Sequence, residues 1–219
     1  MDIDISDILA SVSPPSVSPS LLDLQSLTRA FIAERVAPSL LPYPSALMTR
    51  VLARIAAQIE LVEHETGKVD PRANFRLVVL QTEVERWKYL VRALLRARIA
   101  KLADYPLFYL EDAEVSGRLS AAERQYLGAR QGLLGEHYAV AFLGQFPAGL
   151  RRLDDASGGV RMVDRPDEEA AVFVRCLRDI GPVRVEGTDT EADMRRGDVW
   201  VMRWSVVREW WENGDVELI

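Results

Sequence analysis

The chain has 219 residues and a formal net charge of −6, an acidic balance that does not suit a free nucleic-acid binder. Its length suits one or two domains with a real core. The single cysteine, Cys176, excludes an intramolecular disulfide and any cysteine-clustered zinc site, and no apolar run approaches the ~20 residues of a membrane span.

Met1 to Val12 is acidic and hydrophobic and lacks the basic start of a secretory signal, which places the protein in the cytosol or nucleus. Ser13 to Ser20, SPPSVSPS, is too rich in proline and serine to pack and reads as a disordered linker. Residues 1–20 therefore form a tethered tail. Ile5, Ile8, Leu9 and Val12 would share one face of a short helix, with Asp2, Asp4 and Asp7 near its N-terminus. Two readings stay open: a docking helix that enters a partner groove, or a frayed terminus. Pattern alone favours the second.

Residues 21–153 read as an α-helical domain. Leu22 to Ala37 is a helix with Leu24, Leu27, Phe31 and Ile32 inward, ended by the extended corner of Pro38, Pro42 and Pro44. Ser45 opens a second helix with a stripe of Met48, Val51, Leu52, Ile55, Ile59 and Val62, closed near Gly67 and Lys68. After Asp70-Pro71 comes the longest periodic stretch, Asn74 to Ala103. Leu77, Leu80, Val84, Trp87, Val91 and Leu94, then Leu95, Ile99 and Leu102, recur at helical spacing. Such a helix spans about 45 Å and needs several partners to cover it. Tyr105-Pro106 ends it, and Leu107 to Leu119 reads as an irregular connection. Ser120 and Glu123 fit a capping box that opens a helix to about Gln145. Gly128, Gly132 and Gly135 on that helix each cost about 1 kcal/mol against alanine. Either another backbone passes close by, or the site tolerates them.

Residues 154–169 read as a linker and 170–219 as a small β-rich domain. Ala171 to Leu177 alternates as a strand, Gly181-Pro182 is a turn, and Val183 to Gly187 and Val199 to Trp204 are further strands. Ser205 caps a short helix through Trp211, and Asn213-Gly214 turns into a last strand. About 50 residues are marginal alone, so this unit should dock on the helical part or on a partner. The fold class is α+β: an N-terminal all-α helical bundle domain with a small C-terminal β-rich domain.

The sequence lacks the usual catalytic signatures. His64 and His137 are far apart and outside any zinc-protease spacing, and no phosphate-loop, dinucleotide or nucleophile-elbow motif occurs. Cys176 alternates with apolar residues and reads as a buried structural thiol. No enzyme activity and no cofactor or metal is expected. The basic run Arg86, Lys88, Arg92, Arg96, Arg98 and Lys101 is the best nucleic-acid candidate. It lies around more than one side of the helix and has no aromatic ladder, so a solvated face with interfacial ion pairs reads better. Tryptophans 200, 204, 210 and 211 crowd the last domain, where some fill its core and others suit a protein interface.

Specific strings then add a resemblance. YLVRALLRARIAKL (Tyr89 to Leu102), followed by YPLFYL, resembles the central helix of GINS replication-complex subunits. RAFIAERVAPSLLPYPSALMTRVLARIAAQIELVE, MVDRPDEEAAVFVRCLRDIG and GTDTEADMRRGDVWVMRWSVVREWWENGDVELI resemble GINS subunit four, the Sld-five type. The resemblance implies a non-catalytic, nuclear subunit in a heterotetramer with three paralogous GINS subunits. It implies a place in the replicative CMG helicase beside the MCM ring and its Cdc-type cofactor, with the leading-strand polymerase as a further candidate partner. DNA would be met only indirectly, and no membrane is involved; direct nucleic-acid binding through the central helix is the alternative function. MDIDISDILA resembles the N-terminal peptide by which fungal members dock on the trimeric replisome adaptor hub, matched at Asp7, Ile8 and Leu9, with Ile5 on the same face. With that resemblance the docking reading is preferred. Trp87, Leu94, Arg92, Arg96, Trp204 and Trp210 are the candidate residues for contact with sister subunits.

Overall fold

A computed structural model describes residues 18–66, 71–111, 113–151, 162–184 and 191–219. Helix α1, Pro19–Val36, starts with Ser18 as N-cap and Pro19 at its first position, where a missing N–H costs nothing. It stops because Ala37 is held extended (φ −61°, ψ 133°) before Pro38. Helices α2, Ser45–Thr66, and α3, Pro71–Asp104, pack with α1 into a bundle. Its core joins Leu27 of α1, Met48, Val51 and Ile55 of α2, and Trp87, Leu90, Val91 and Leu94 of α3. Ile32 and Leu52, expected inward, are exposed. Each sits off the buried line of its helix: Leu52 lies one residue, about 100° of turn, beyond Val51.

The connection expected to be irregular folds as two short helices, α4 (Pro106–Glu111) and α5 (Ala113–Ser116). Tyr109 is fully buried there, and its hydroxyl oxygen accepts the Leu40 N–H at 3.0 Å. With Leu40, Leu102, Leu119 and Leu127 it forms a second apolar cluster. Helix α6, Ala121–Ala141, opens with the expected capping box: Ser120 Oγ accepts the Glu123 N–H at 3.2 Å, and Glu123 Oε2 accepts the Ser120 N–H at 2.8 Å. The helix ends four residues earlier than expected. Single 3₁₀ turns at Leu143–Gln145 and Ala148–Leu150 follow, where Gly144 and Pro147 disfavour continued α-helix. Among the described residues nothing would lie within 4 Å of a Cβ added at Gly128, Gly132 or Gly135, so no close backbone contact within the chain requires them.

The C-terminal part holds a three-stranded antiparallel sheet in the order β4-β1-β5: β1 Ala171–Cys176, β4 Val199–Arg203 and β5 Val216–Leu218. A separate ladder pairs β2, Gly181–Arg184, with β3, Glu191–Met194. Gly181 and Pro182, expected as a turn, thus begin a strand, and β3 was not anticipated. Helix α7, Trp204–Glu212, starts one residue before Ser205. Its first amides are taken by the backbone carbonyls of Ala170 (3.0 Å) and Glu168 (2.8 Å), so no side-chain cap is used. Gly214 at φ 77° closes the helix and donates to the Trp211 carbonyl. Cys176 is buried under the sheet, and burial pushes its thiol pKa up.

The sheet and α7 dock on the helical part. Val172, Val174, Met194, Trp204, Val207, Val216 and Leu218 share one core with Ala33, Ala37 and Leu41. Trp204 is fully buried, and its indole N–H donates to Ser39 Oγ at 2.9 Å.

Candidate subunit interface

The two ends of α3 are built differently, and the difference locates the candidate surface. In its C-terminal half the buried positions step through Val84, Trp87, Val91, Leu94, Arg98 and Leu102, at intervals of three or four. Arg98 is therefore forced inward, with no solvent exposure. Its five N–H donors are all used. Nε and Nη2 hold Glu123 at 2.6 and 3.2 Å; Nη1 holds Glu34 (2.9 Å) and the Leu41 carbonyl (2.7 Å); Nη2 also reaches the Arg118 carbonyl (3.0 Å). Lys101 adds contacts to Glu34 (2.8 Å) and the Ser39 carbonyl (3.0 Å). Two cations thus face two buried carboxylates. Buried charge is costly unless paired and fully hydrogen-bonded, and here both conditions hold.

The titration directions follow. Burial works against the Arg98 cation, but the hydrogen bond to Glu123 and the Glu34 and Glu123 charges outweigh it and raise the Arg98 pKa. Burial likewise opposes ionisation of Glu123, yet the Arg98 bond and the Ser120 amide hold it below the ordinary carboxylate value. At Lys101 burial wins over Glu34, and the pKa falls. Burial pushes the Tyr109 phenol up to about 12.

This network grips the corner between α1 and α2. The carbonyls of Ser39, Leu40 and Leu41 accept from Lys101, Arg118 (3.2 Å) and Arg98 in turn, while Ser39 Oγ receives Trp204. The corner fixed by the helical charges is the one on which the sheet sits.

The N-terminal half of α3 has none of this. From Asn74 to Glu83 no residue is buried, and Phe75, Val78 and Val79 are 75, 59 and 46 % exposed. With Tyr89, 62 % exposed, they continue an outer stripe along the helix. Two further apolar faces are open. On α6 and its 3₁₀ turns stand Leu133, Val140, Phe142, Phe146 and Leu150. On the outer face of the sheet, Phe173 lies opposite Val201, with Val199 two residues along. Scattered apolar side chains are normal on a surface, but grouped ones at one helix end and one sheet face mark interaction sites.

The residues expected at a sister interface divide. Trp87, Leu94 and Trp204 are buried inside this chain, so their side chains have almost no surface to offer. Trp210 is partly buried against the sheet core. Arg92 and Arg96 are exposed, Arg92 pairing with Glu85 at 3.4 Å. The basic run divides too: Arg98 and Lys101 belong to the buried network. Ile5, Asp7, Ile8 and Leu9 lie outside the described residues. His64 and His137 are exposed, and no group of three or more His, Cys, Asp or Glu suited to a metal ion occurs among the described residues. Glu34 and Glu123 were missed as buried acids. The available signal was Arg98 itself, which falls on the Val91–Leu94–Leu102 line.

Comparison with known proteins bears on what these faces serve. Residues 50–139 match the GINS complex protein helical bundle domain, and residues 166–219 match the C-terminus of the DNA replication complex GINS protein SLD5. The chain is 46 % identical over 222 aligned positions to the GINS protein SLD5 of Chaetomium globosum, covering 99 % of this chain and all of that protein. It is 34 % identical to the Yarrowia lipolytica protein of the same name, covering 99 % of this chain and 85 % of the relative. The Schizosaccharomyces pombe protein is also 34 % identical, over 90 % of this chain and 92 % of the relative. With both units matched and the alignment running nearly end to end, the chain belongs to the GINS protein SLD5 family.

Proposed function

We propose that this chain is a non-catalytic subunit of a nuclear GINS heterotetramer acting in DNA replication, and that it works by presenting surfaces. The observation that carries this reading is the open apolar surface of Phe75, Val78 and Val79, with Tyr89 further along, on a helix whose second half buries one face in the chain's own core. A 34-residue helix with an uncovered first half fits a role shared between chains. Arg92 and Arg96 continue the exposed side and suit acidic partners on a sister subunit. The helical unit of 21–153 and the β-rich unit of 170–219 act as one body through the Ser39 corner.

In the larger assembly the chain takes its place in the CMG helicase, beside the MCM ring and its Cdc-type cofactor, with the leading-strand polymerase as a further neighbour. The tail reaches the trimeric adaptor hub through Ile5, Asp7, Ile8 and Leu9. Direct nucleic-acid binding is the weaker reading, because Arg98 and Lys101 are committed to buried carboxylates. Co-expression with the three paralogous subunits and mass measurement of the purified complex tests the main reading. A one-to-one-to-one-to-one assembly is expected, and a stable monomer without affinity for the others would refute it. For the tail, Ile8→Ala with Leu9→Ala should abolish hub capture and leave the tetramer intact; capture at the unmutated level would sink the docking assignment.

A further inference from the structure

The seam between the helical part and the C-terminal part holds a polar cleft of about 300 Å³. Phe108 of α4 and Val115 of α5 form its apolar wall, and the buried Pro166 closes another side. The other lining side chains are three arginines and one carboxylate: Arg118, Arg165, Arg208 and Glu168. They come from the turn before α6, the segment before β1, and α7, so the cluster exists only because the two parts dock. Three cations sharing one cleft repel one another, and a single carboxylate does not balance them.

Arg118 is mounted rigidly. Its N–H donates to the Val115 carbonyl (3.0 Å), and its own carbonyl accepts the Tyr43 N–H (3.1 Å) and Arg98 Nη2 (3.0 Å). Nη1 donates to the Leu40 carbonyl at 3.2 Å, and the guanidinium has no carboxylate partner among the described residues. Arg165 is exposed, with its guanidinium 5.8 Å from the centre of the Phe108 ring. Among the described residues that guanidinium makes no hydrogen bond or ion pair, so its five donors are open to a ligand. Arg208 is partly buried and donates through Nε to Glu212 at 3.1 Å. Its approach to Glu168, 3.8 Å, is too long for a hydrogen bond. Glu168 therefore holds none of the three firmly.

We propose that this cleft binds one phosphoryl dianion, presented on a serine or threonine side chain of a partner protein. Guanidinium forks match phosphate oxygens, and a dianion supplies the negative charge that Glu168 alone does not. The wall of Phe108 and Val115 suits the short carbon chain beneath the phosphate. A nucleic-acid backbone needs a continuous basic track, whereas this is a small cleft for one group on a chain of net charge −6. The assignment stands apart from the open apolar faces and from the tail.

The test titrates the full-length chain, isotope-labelled at its arginine nitrogens, at constant ionic strength, and follows the arginine Nε–H signals by magnetic resonance. The probes are a capped Gly-phosphoserine-Gly peptide, its unphosphorylated form and inorganic phosphate. The phosphopeptide should shift the Arg118, Arg165 and Arg208 signals along one saturable curve. The unphosphorylated peptide should leave them in place, and inorganic phosphate should bind more weakly. Arg165→Gln, a change at an exposed side chain, should weaken phosphopeptide binding about tenfold. Arg178→Gln, beyond the other end of β1 where Arg178 pairs with Asp215, should leave it unchanged. Glu168→Gln should tighten it about two- to threefold, because the competing carboxylate is gone. Absence of a saturable shift, or equal weakening by Arg165→Gln and Arg178→Gln, overturns the cleft. Inorganic phosphate binding as tightly as the phosphopeptide overturns presentation on a side chain. A single-stranded oligonucleotide that moves the three signals at lower concentration than the phosphopeptide overturns the assignment to a protein partner.

Discussion

The two halves of α3 have similar sequence character and opposite fates. From Val84 onward, every third or fourth residue is buried, and even an arginine is carried inside and fully paired. From Asn74 to Glu83 nothing is buried, although Phe75, Val78 and Val79 are as apolar as the core. Hydrophobicity alone does not decide which side chains are covered; the neighbours do. The second half shares buried cores with Leu27 of α1, Met48 and Val51 of α2, Tyr109 of α4 and Leu127 of α6, whereas no residue from Asn74 to Glu83 belongs to either cluster. One half is covered by this chain's own fold, and the other is open.

The contrast is broken most severely at Arg98. Arg98→Met leaves Glu34 and Glu123 buried without their main partner, a loss of about 3–5 kcal/mol by the usual cost of an orphaned buried charge. Chemical denaturation of the purified chain reads it. Trp204→Ala should cost about 3–5 kcal/mol, as large aromatic truncations in cores do. Trp204→Phe should cost about 1 kcal/mol, mostly the Ser39 hydrogen bond. A loss confined to the C-terminal part would show that the corner does not couple the two units.

Acid gives the next largest effect. Glu123 has a folded-state pKa below its ordinary value of 4.5. The stability it contributes is therefore complete above pH 4.5 and is lost as pH falls through the lowered value. Denaturation midpoints should drop below pH 4.5, and Glu123→Gln should flatten that slope while lowering stability at neutral pH. An unchanged slope in the variant would place acid sensitivity elsewhere.

A smaller change sharpens the same contrast at α6. Gly132 faces open space, so Gly132→Ala should stabilise the free chain by about 0.5–1 kcal/mol. If a sister backbone packs there, the same substitution weakens the assembly, and the two measurements change in opposite directions.

What the sequence revealed depended on range. The Ser120–Glu123 capping box, the Gly214 turn and the β1 alternation are local, with cause and effect within a few residues, and all three are in the structure. The α+β class follows from the same periodicities. Strand β3, EADM, has no run of β-formers to announce it; it is a strand because β2 pairs with it. Helices α4 and α5 were hidden behind Pro106 and a mixed composition. The site was the least legible. The Ser39–Trp204 bond joins residues 165 positions apart. The inward turn of Arg98 was masked by following the helix stripe through Leu95 and Ile99 instead of the Leu94–Arg98–Leu102 line. Trp87 and Leu94 stand on the face of α3 that this chain's own core covers, while the most exposed apolar side chains, Phe75, Val78 and Tyr89, stand on another face.

The central claim is that this half is an intermolecular surface. The most direct test pairs Phe75→Ser with Val79→Ser in one variant. Both side chains are exposed, so denaturation of the free chain should move by no more than about 0.5 kcal/mol. Co-expressed with the three paralogous subunits, the variant should be absent from the purified tetramer by mass measurement. Full incorporation of a normally folded double variant would contradict the account.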